Sequence, residues 1–245
     1  MGRRRQGIAG QLAYDEIDLG RAKIGGIIAL SAELLKFSTP SAELMVRDEL
    51  IRQIGKYSDQ QFLDPSIASV LNTSPGAVTN GITPVTSAGT SVANITADFL
   101  NLLGKFTTGD IPFVAPVLLM KPATALALSL KRTSADLPAF SGITVRGGTL
   151  FGVPVICSSH VPGSVSGGNC VILIDADSIF LADDSEVEVD LSREASLQMD
   201  SSPSSSASTE VSLFQSNQVG IKANRLINWC RRHDAGVTYI DGTQY

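Results

Sequence analysis

VSLFQSNQVGIKANRLINWCRRHDAGVTYIDGTQY, residues 211–245, is the stretch on which the reading of this chain turns. Apolar and polar residues alternate around Ser212, Phe214, Asn217, Val219 and Ile221, the period of a strand with one buried face. Arg225 and Trp229 follow, and 236–241 reads as a final strand. Upstream, Asp184, Glu186, Glu188 and Asp190 alternate with Ser185, Val187, Val189 and Leu191, which puts the carboxylates on one strand face and mainly apolar groups on the other. The serine-rich segment SSPSSSASTE (201–210) has no pattern that makes a core, so it reads as a flexible loop. Hairpin logic then pairs the strand 211–224 with the acidic one as a two-stranded arm.

Three more stretches stand upstream: SAELLKFSTPSAELMVRDELIRQIGKYSDQQFLD (31–64), LMKPATALALSLK (119–131) and GTLFGVPVICSS (148–159). In this order, with the closing segment, they resemble the major capsid proteins of tailed bacteriophages, whose fold is named after bacteriophage Hong Kong ninety-seven. The resemblance implies an α+β fold. Its parts would be a projecting hairpin (1–30), a peripheral domain with a spine helix (31–65), an axial domain (66–182), peripheral strands and loop (183–235) and an axial closing strand (236–245). It also implies a homo-oligomer of pentamers and hexamers that closes an icosahedral shell in the virion. Such a shell encloses DNA without reading its sequence. The subunit would be made in the bacterial host cytoplasm, with scaffold, protease and portal proteins as partners. Two alternatives stand beside this: a cellular nanocompartment shell enclosing cargo enzymes, and a soluble α/β enzyme.

Composition bounds the classes. A chain of 245 residues with 43% hydrophobic content can bury one or two cores without disulfides or metals. Cys157, Cys170 and Cys230 are too widely spaced for a zinc knuckle and too few for a disulfide framework, so they read as reduced core or strand residues. The apolar runs 24–30 and 114–120 fall short of the roughly 20 residues of a membrane helix, so no membrane partner is expected. Arg3, Arg4 and Arg5 lead into Gln6 and Gly7 rather than a signal-peptide core. Net charge is -5, and residues 181–210 hold eight acids against Arg193 alone. That balance lacks the cationic excess that drives phosphate binding. The chain starts almost directly at the hairpin, with little room for the family's N-terminal arm and first peripheral strand. If that strand is missing, a sheet edge is exposed, and in that case the purified chain would be monomeric or a small oligomer.

Residues 12–19 and 21–30 read as two extended pieces joined near Gly20. A lone hairpin buries nothing, so Ile17, Leu19, Ile24 and Ile27 need a partner surface, in their own domain or on a neighbour; the resemblance points to the neighbour. From Pro40 to about Tyr57 the spacing is helical, with Val46, Leu50, Ile54 and Tyr57 on one face, Thr39 as cap and Asp64–Pro65 as stop. Residues 66–89 read as irregular. Val92, Ile95, Phe99, Leu102 and Leu103 mark a second helix, opened by Thr90 or Ser91 and closed by Gly104. A strand over 113–120 follows, then a helix opened by Pro122 and closed by Lys131 and Arg132 against its dipole, then strands near 150–158 and 170–174.

No catalytic or cofactor grouping emerges. GSVSGG (163–168) misses G-x-S-x-G by one position, GKFTTGD (104–110) lacks the phosphate-loop order, and RGGTLFG (146–152) lacks the dinucleotide spacing. His160 reads as a loop histidine with a local hydrogen bond, and His233 as part of a charged turn. One row of carboxylates supplies too few converging ligands for calcium. Glu186, Glu188 and Asp190 therefore read as a solvated or partner-facing row, opposite basic groups such as Arg47, Arg52 or Arg225 of another subunit. Some members of the resembled family join subunits by a lysine–asparagine isopeptide bond. Lys23 and Asn217 match those places, but the family's glutamate seven residues on is Asn224 here. An amide is no general base, so non-covalent contacts are expected.

Overall fold

The computed structural model describes residues 19–20, 22–37, 41–70, 73–109, 113–164, 167–199 and 210–245. Ile17, the first hairpin piece, the Thr39–Pro40 cap and nearly all of the serine-rich loop lie outside them. The elements, in order, are β1 (Lys23–Ser31), α1 (Ala32–Phe37), α2 (Ser41–Leu63), β2 (Val85–Thr86), α3 (Val92–Thr108), β3 (Pro116–Met120), α4 (Pro122–Ser129), β4 (Ile143–Thr144), β5 (Gly147–Leu150), β6 (Val153–Cys157), β7 (Asn169–Asp175), β8 (Ile179–Ser192), β9 (Ser196–Gln198), β10 (Glu210–Ser212), β11 (Gln218–Arg231) and β12 (Val237–Thr243). A seven-stranded sheet runs in the order β2-β12-β7-β3-β6-β5-β4, a three-stranded sheet in the order β1-β11-β8, and β9 pairs with β10.

β7 is central, and its alternation builds two cores. Val171 and Leu173 face one side, where Phe99, Leu102 and Phe106 of α3 and Leu128 of α4 cover the sheet. Cys170, Ile172 and Ile174 face the other, packed with Leu50 and Ile54 of α2 and with Ile221, Ala223 and Trp229 of β11. A strand buried on both faces reads as a continuous apolar run, which NCVILID shows.

α3 starts where its sequence says: Ser91 is extended, and its side chain accepts from the Asn94 N–H at 3.2 Å. It does not stop at Gly104 but continues to Thr108, with Gly109 as the C-cap. Burial of Phe106, whose ring stacks on Phe113 at 5.3 Å, outweighs the roughly 1 kcal/mol cost of a helical glycine. Lys131 does not close α4; its Nζ donates to the Thr90 carbonyl at 2.8 Å, just before α3. The strand expected over 113–120 begins at Pro116. α2 runs to Leu63, and its buried face is Leu50, Ile54, Ser58 and Gln61; Tyr57 is exposed, because the stripe advances in steps of four and then three.

The closing strand also differs from its expected bounds. Val211 and Ser212 belong to β10, a turn follows, and the long strand occupies Gln218–Arg231. It does run antiparallel to the acidic strand, with Asn224 opposite Glu188 and Lys222 opposite Asp190. The arm is three-stranded rather than two-stranded, since β1 pairs along the other side of β11 from Lys23↔Leu226 to Ser31↔Gln218.

Candidate assembly surface

The register of the three-stranded sheet sorts its side chains into two faces. Ile24 and Ile28 of β1, Ile221 and Ala223 of β11, and Val187 and Val189 of β8 all turn toward the core with α2. Ile24 is 4% exposed and packs within its own chain rather than against a neighbour. Ile27, three residues on, must face the opposite way in a strand, and it is 52% exposed. Leu19 is half-buried.

Outward, cross-strand rows form: Ile27, Lys222 and Asp190 in one, and Gly25, Asn224 and Glu188 in the next, with Lys23 beside Leu226 beyond. Lys23, Lys222, Glu188 and Asp190 are exposed. Glu186 lies in β8, and its side chain is outside the described residues. The acidic row is thus one margin of a face that also carries two lysines, which the sequence reading missed. The clue was Lys222, which shares the strand parity of Asn224 and Leu226. Gly25 fits this face for a steric reason: a Cβ there would stand 2.7 Å from Oδ1 of the buried Asn224, whose side chain fills that space.

Arg225 belongs to its own chain rather than to a neighbour's acids. Its Nε donates to Asp183 Oδ1 at 3.1 Å and its Nη2 to Asp183 Oδ2 at 2.5 Å. That bidentate bond raises the guanidinium pKa, against a smaller lowering by burial. Arg52 donates to Glu49 at 2.8 Å on the exposed side of α2, a surface pair of little energetic weight, and Arg47 is exposed.

Lys23 and Asn217 lie at opposite ends of the β1–β11 ladder. Eight residue steps separate Lys23 from Ser31, whose partner Gln218 follows Asn217, about 27 Å at roughly 3.4 Å per residue. A bond between the two positions would therefore join separate chains. Asn217 is exposed in the turn before β11, with a φ of 52°.

His160 reaches further than its sequence suggests: besides a local N–H bond to Ser158 Oγ, its Nδ1 lies 2.7 Å from Asp59 Oδ2 on α2. His233 sits in a charged turn where Arg231 pairs with Asp234 at 3.0 Å. The three cysteines are free, and burial beside Asp241 pushes the Cys170 thiol up to about 12. Among the described residues no three His, Cys, Asp or Glu side chains converge on a metal position, and no helix is long and apolar enough to cross a membrane.

The model of the phage capsid family matches residues 3–241. This chain belongs to the phage capsid family. Over 235 residues it is 39% identical to the capsid polyprotein of Pseudomonas phage PAJU2, covering 95% of this chain and 35% of that relative. The chain thus spans about a third of the length of the curated relative it matches. Among solved structures, a chain of Gordonia phage Cozz superposes with a TM-score of 0.67 at 16% identity, over 100% of this chain and 80% of that one. The capsid of an empty GTA particle matches with a TM-score of 0.61 at 12% identity, over 93% and 74%. Identities this low speak to the fold, and the fold is that of Hong Kong ninety-seven-like phage capsid proteins, α+β as the sequence implied.

Proposed function

We propose that this chain is the structural subunit of a phage or prophage icosahedral capsid, repeated as pentamers and hexamers around packaged DNA. The family match along nearly the whole chain carries the reading. In this reading α2, β11 and most of β8, with their loop, form the peripheral part (31–65 and 183–235), onto which β1 of the projecting segment pairs. The seven-stranded sheet with α3 and α4 forms the axial part (66–182 and 236–245), and 1–30 forms the projecting hairpin. The protein is made in the host cytoplasm and ends in the virion, meeting scaffold, protease and portal proteins on the way.

Contacts between subunits are non-covalent and partly electrostatic. Glu188 and Asp190 on one edge strand, Lys222 on the middle strand and Lys23 on the opposite edge give each arm both signs of charge, which suits a face that meets another copy's arm. The expected result of Glu188→Lys is a weakening of each such contact of about fivefold, from roughly 1 kcal/mol per exposed pair. Assembly of the unsubstituted protein should likewise fall as salt rises, because exposed pairs are screened over about 8–10 Å. Sedimentation of particles from both proteins across a salt series measures this. Particle yields indifferent to salt and to the charge reversal would remove the acidic row from the interface.

A further inference from the structure

Phe214 is the most exposed large apolar side chain among the described residues, at 79%. It stands in the turn between β10 and β11, and that turn is held rigid. The Gln218 N–H donates to the Leu213 carbonyl at 2.8 Å, and Ser216 donates to the Ser212 carbonyl through both its N–H, at 3.2 Å, and its Oγ, at 2.8 Å. The Asn217 carbonyl accepts from the Ala32 N–H at 2.9 Å, tying the turn to the start of α1. Leu213 is fully buried against Gly220, where a Cβ would come within 2.9 Å of the leucine Cδ1. With Leu213 fixed inward, its neighbour is fixed outward. An aromatic ring on a stiff turn loses little freedom on docking, which is the property of an interface anchor.

A receptor of matching character lies at the other end of the same sheet. A hollow of about 440 Å³ is walled by Leu19, Ala22, Leu181 and Leu226, with Leu181 61% and Leu226 40% exposed. Of its polar members, Asp183 is bound by Arg225 and the Asn228 amide by the Gly20 carbonyl, while Asp184 lines one wall with an exposed side chain. What remains for an occupant is a mainly apolar socket with one carboxylate, Asp184, on its wall. Gln218 and Asn228 bracket the separation of knob and hollow, ten residues of strand or about 33 Å. A knob and its socket at opposite ends of one arm make a head-to-tail contact, the kind whose repetition closes a ring.

We infer that Phe214 of one copy inserts into the Leu181–Leu226 hollow of a second copy of this chain. The inference rests on the capsid-subunit reading and adds to it the contact that sets the order of arms around a ring. The test replaces Phe214 with a photo-crosslinking phenylalanine analogue in assembled particles, alongside the variants Phe214→Ser, Leu181→Trp and Phe214→Tyr. Expected are a crosslink from position 214 to a peptide of a second copy containing Leu181 or Leu226, and about tenfold fewer particles from Phe214→Ser and from Leu181→Trp. The unfolding midpoints of both should be unchanged, since both side chains are exposed. Phe214→Tyr should assemble as the unsubstituted protein does. A crosslink to another protein or elsewhere on the copy, or particle yields within twofold from both disruptive variants, would overturn the anchor alone. Failure of the unsubstituted protein to enter particles in phage-producing cells would instead sink the subunit reading beneath it.

Discussion

Trp229→Ala is expected to lower the unfolding free energy by about 4 kcal/mol, read as a shifted urea midpoint with an unchanged slope. Trp229 lies near the end of β11, where the core between the two sheets meets the irregular segment after α2. Its ring meets Phe62 edge-on, with centroids 5.2 Å apart and planes at 81°, and its Nε1 donates to the Gly76 carbonyl at 2.8 Å. Two residues on, Arg231 Nη1 donates to the Val78 and Asn80 carbonyls at 2.9 and 2.7 Å, so one strand pins a stretch that has almost no secondary structure of its own. Truncation removes a buried aromatic and leaves a carbonyl unpaired, and both effects point the same way. Trp229→Phe keeps most of the ring and loses the N–H, so it should cost only about 1 kcal/mol. A loss under 1 kcal/mol in Trp229→Ala would show that the loop is held elsewhere.

Asp98→Ala should cost about 3 kcal/mol by the same measurement. Asp98 is 1% exposed on α3, and its carboxylate accepts from Ser87 Oγ and the Ala88 N–H, both at 2.9 Å, and from the Tyr245 hydroxyl at 3.4 Å. One charged group thereby fastens β2's exit and the final residue to the helix. Burial, and then the nearby Asp98 charge, push the Tyr245 phenol well above its usual range. A phenol raised in the folded state stays neutral while its unfolded counterpart ionises near pH 10. Its contribution is therefore intact below about pH 10 and lost as pH climbs further. Tyr245→Phe should flatten that alkaline decline while leaving stability at neutral pH within about 1 kcal/mol. Equal alkaline slopes in the two proteins would place the sensitivity elsewhere.

The sequence made some of this architecture readable and hid other parts for definable reasons. The alternation of Glu188 and Asp190 with Val187 and Val189 announced a half-buried strand, and the alternating closing segment announced its partner. Ser91 before an apolar stripe announced α3. Each of these signals is local. The third strand of the arm was not readable, because KIGGIIALS suits pairing within the chain as well as contact with a neighbour. Parity did hold a clue: Ile24 and Ile27 are an odd number of residues apart, so a strand sends them to opposite faces, and only one could be an outward contact. Arg225 was misassigned because its carboxylate partner is 42 residues away in sequence. The register shift between Arg225 and Ile227 adds an irregularity that alternation does not reveal. Gly104 failed as a stop signal because the burial of Phe106 lies beyond it, a tertiary demand that outweighs the local one.

The most direct test of the central claim is to purify particles from cells that produce the protein in its native genetic setting, and then to image and sequence their shells. Electron cryomicroscopy should show a closed shell whose repeating density takes this chain from the seven-stranded sheet to the arm, with peptides from 22–245 abundant in the same fraction. Shells built from another protein, with this chain confined to the soluble fraction, would contradict it.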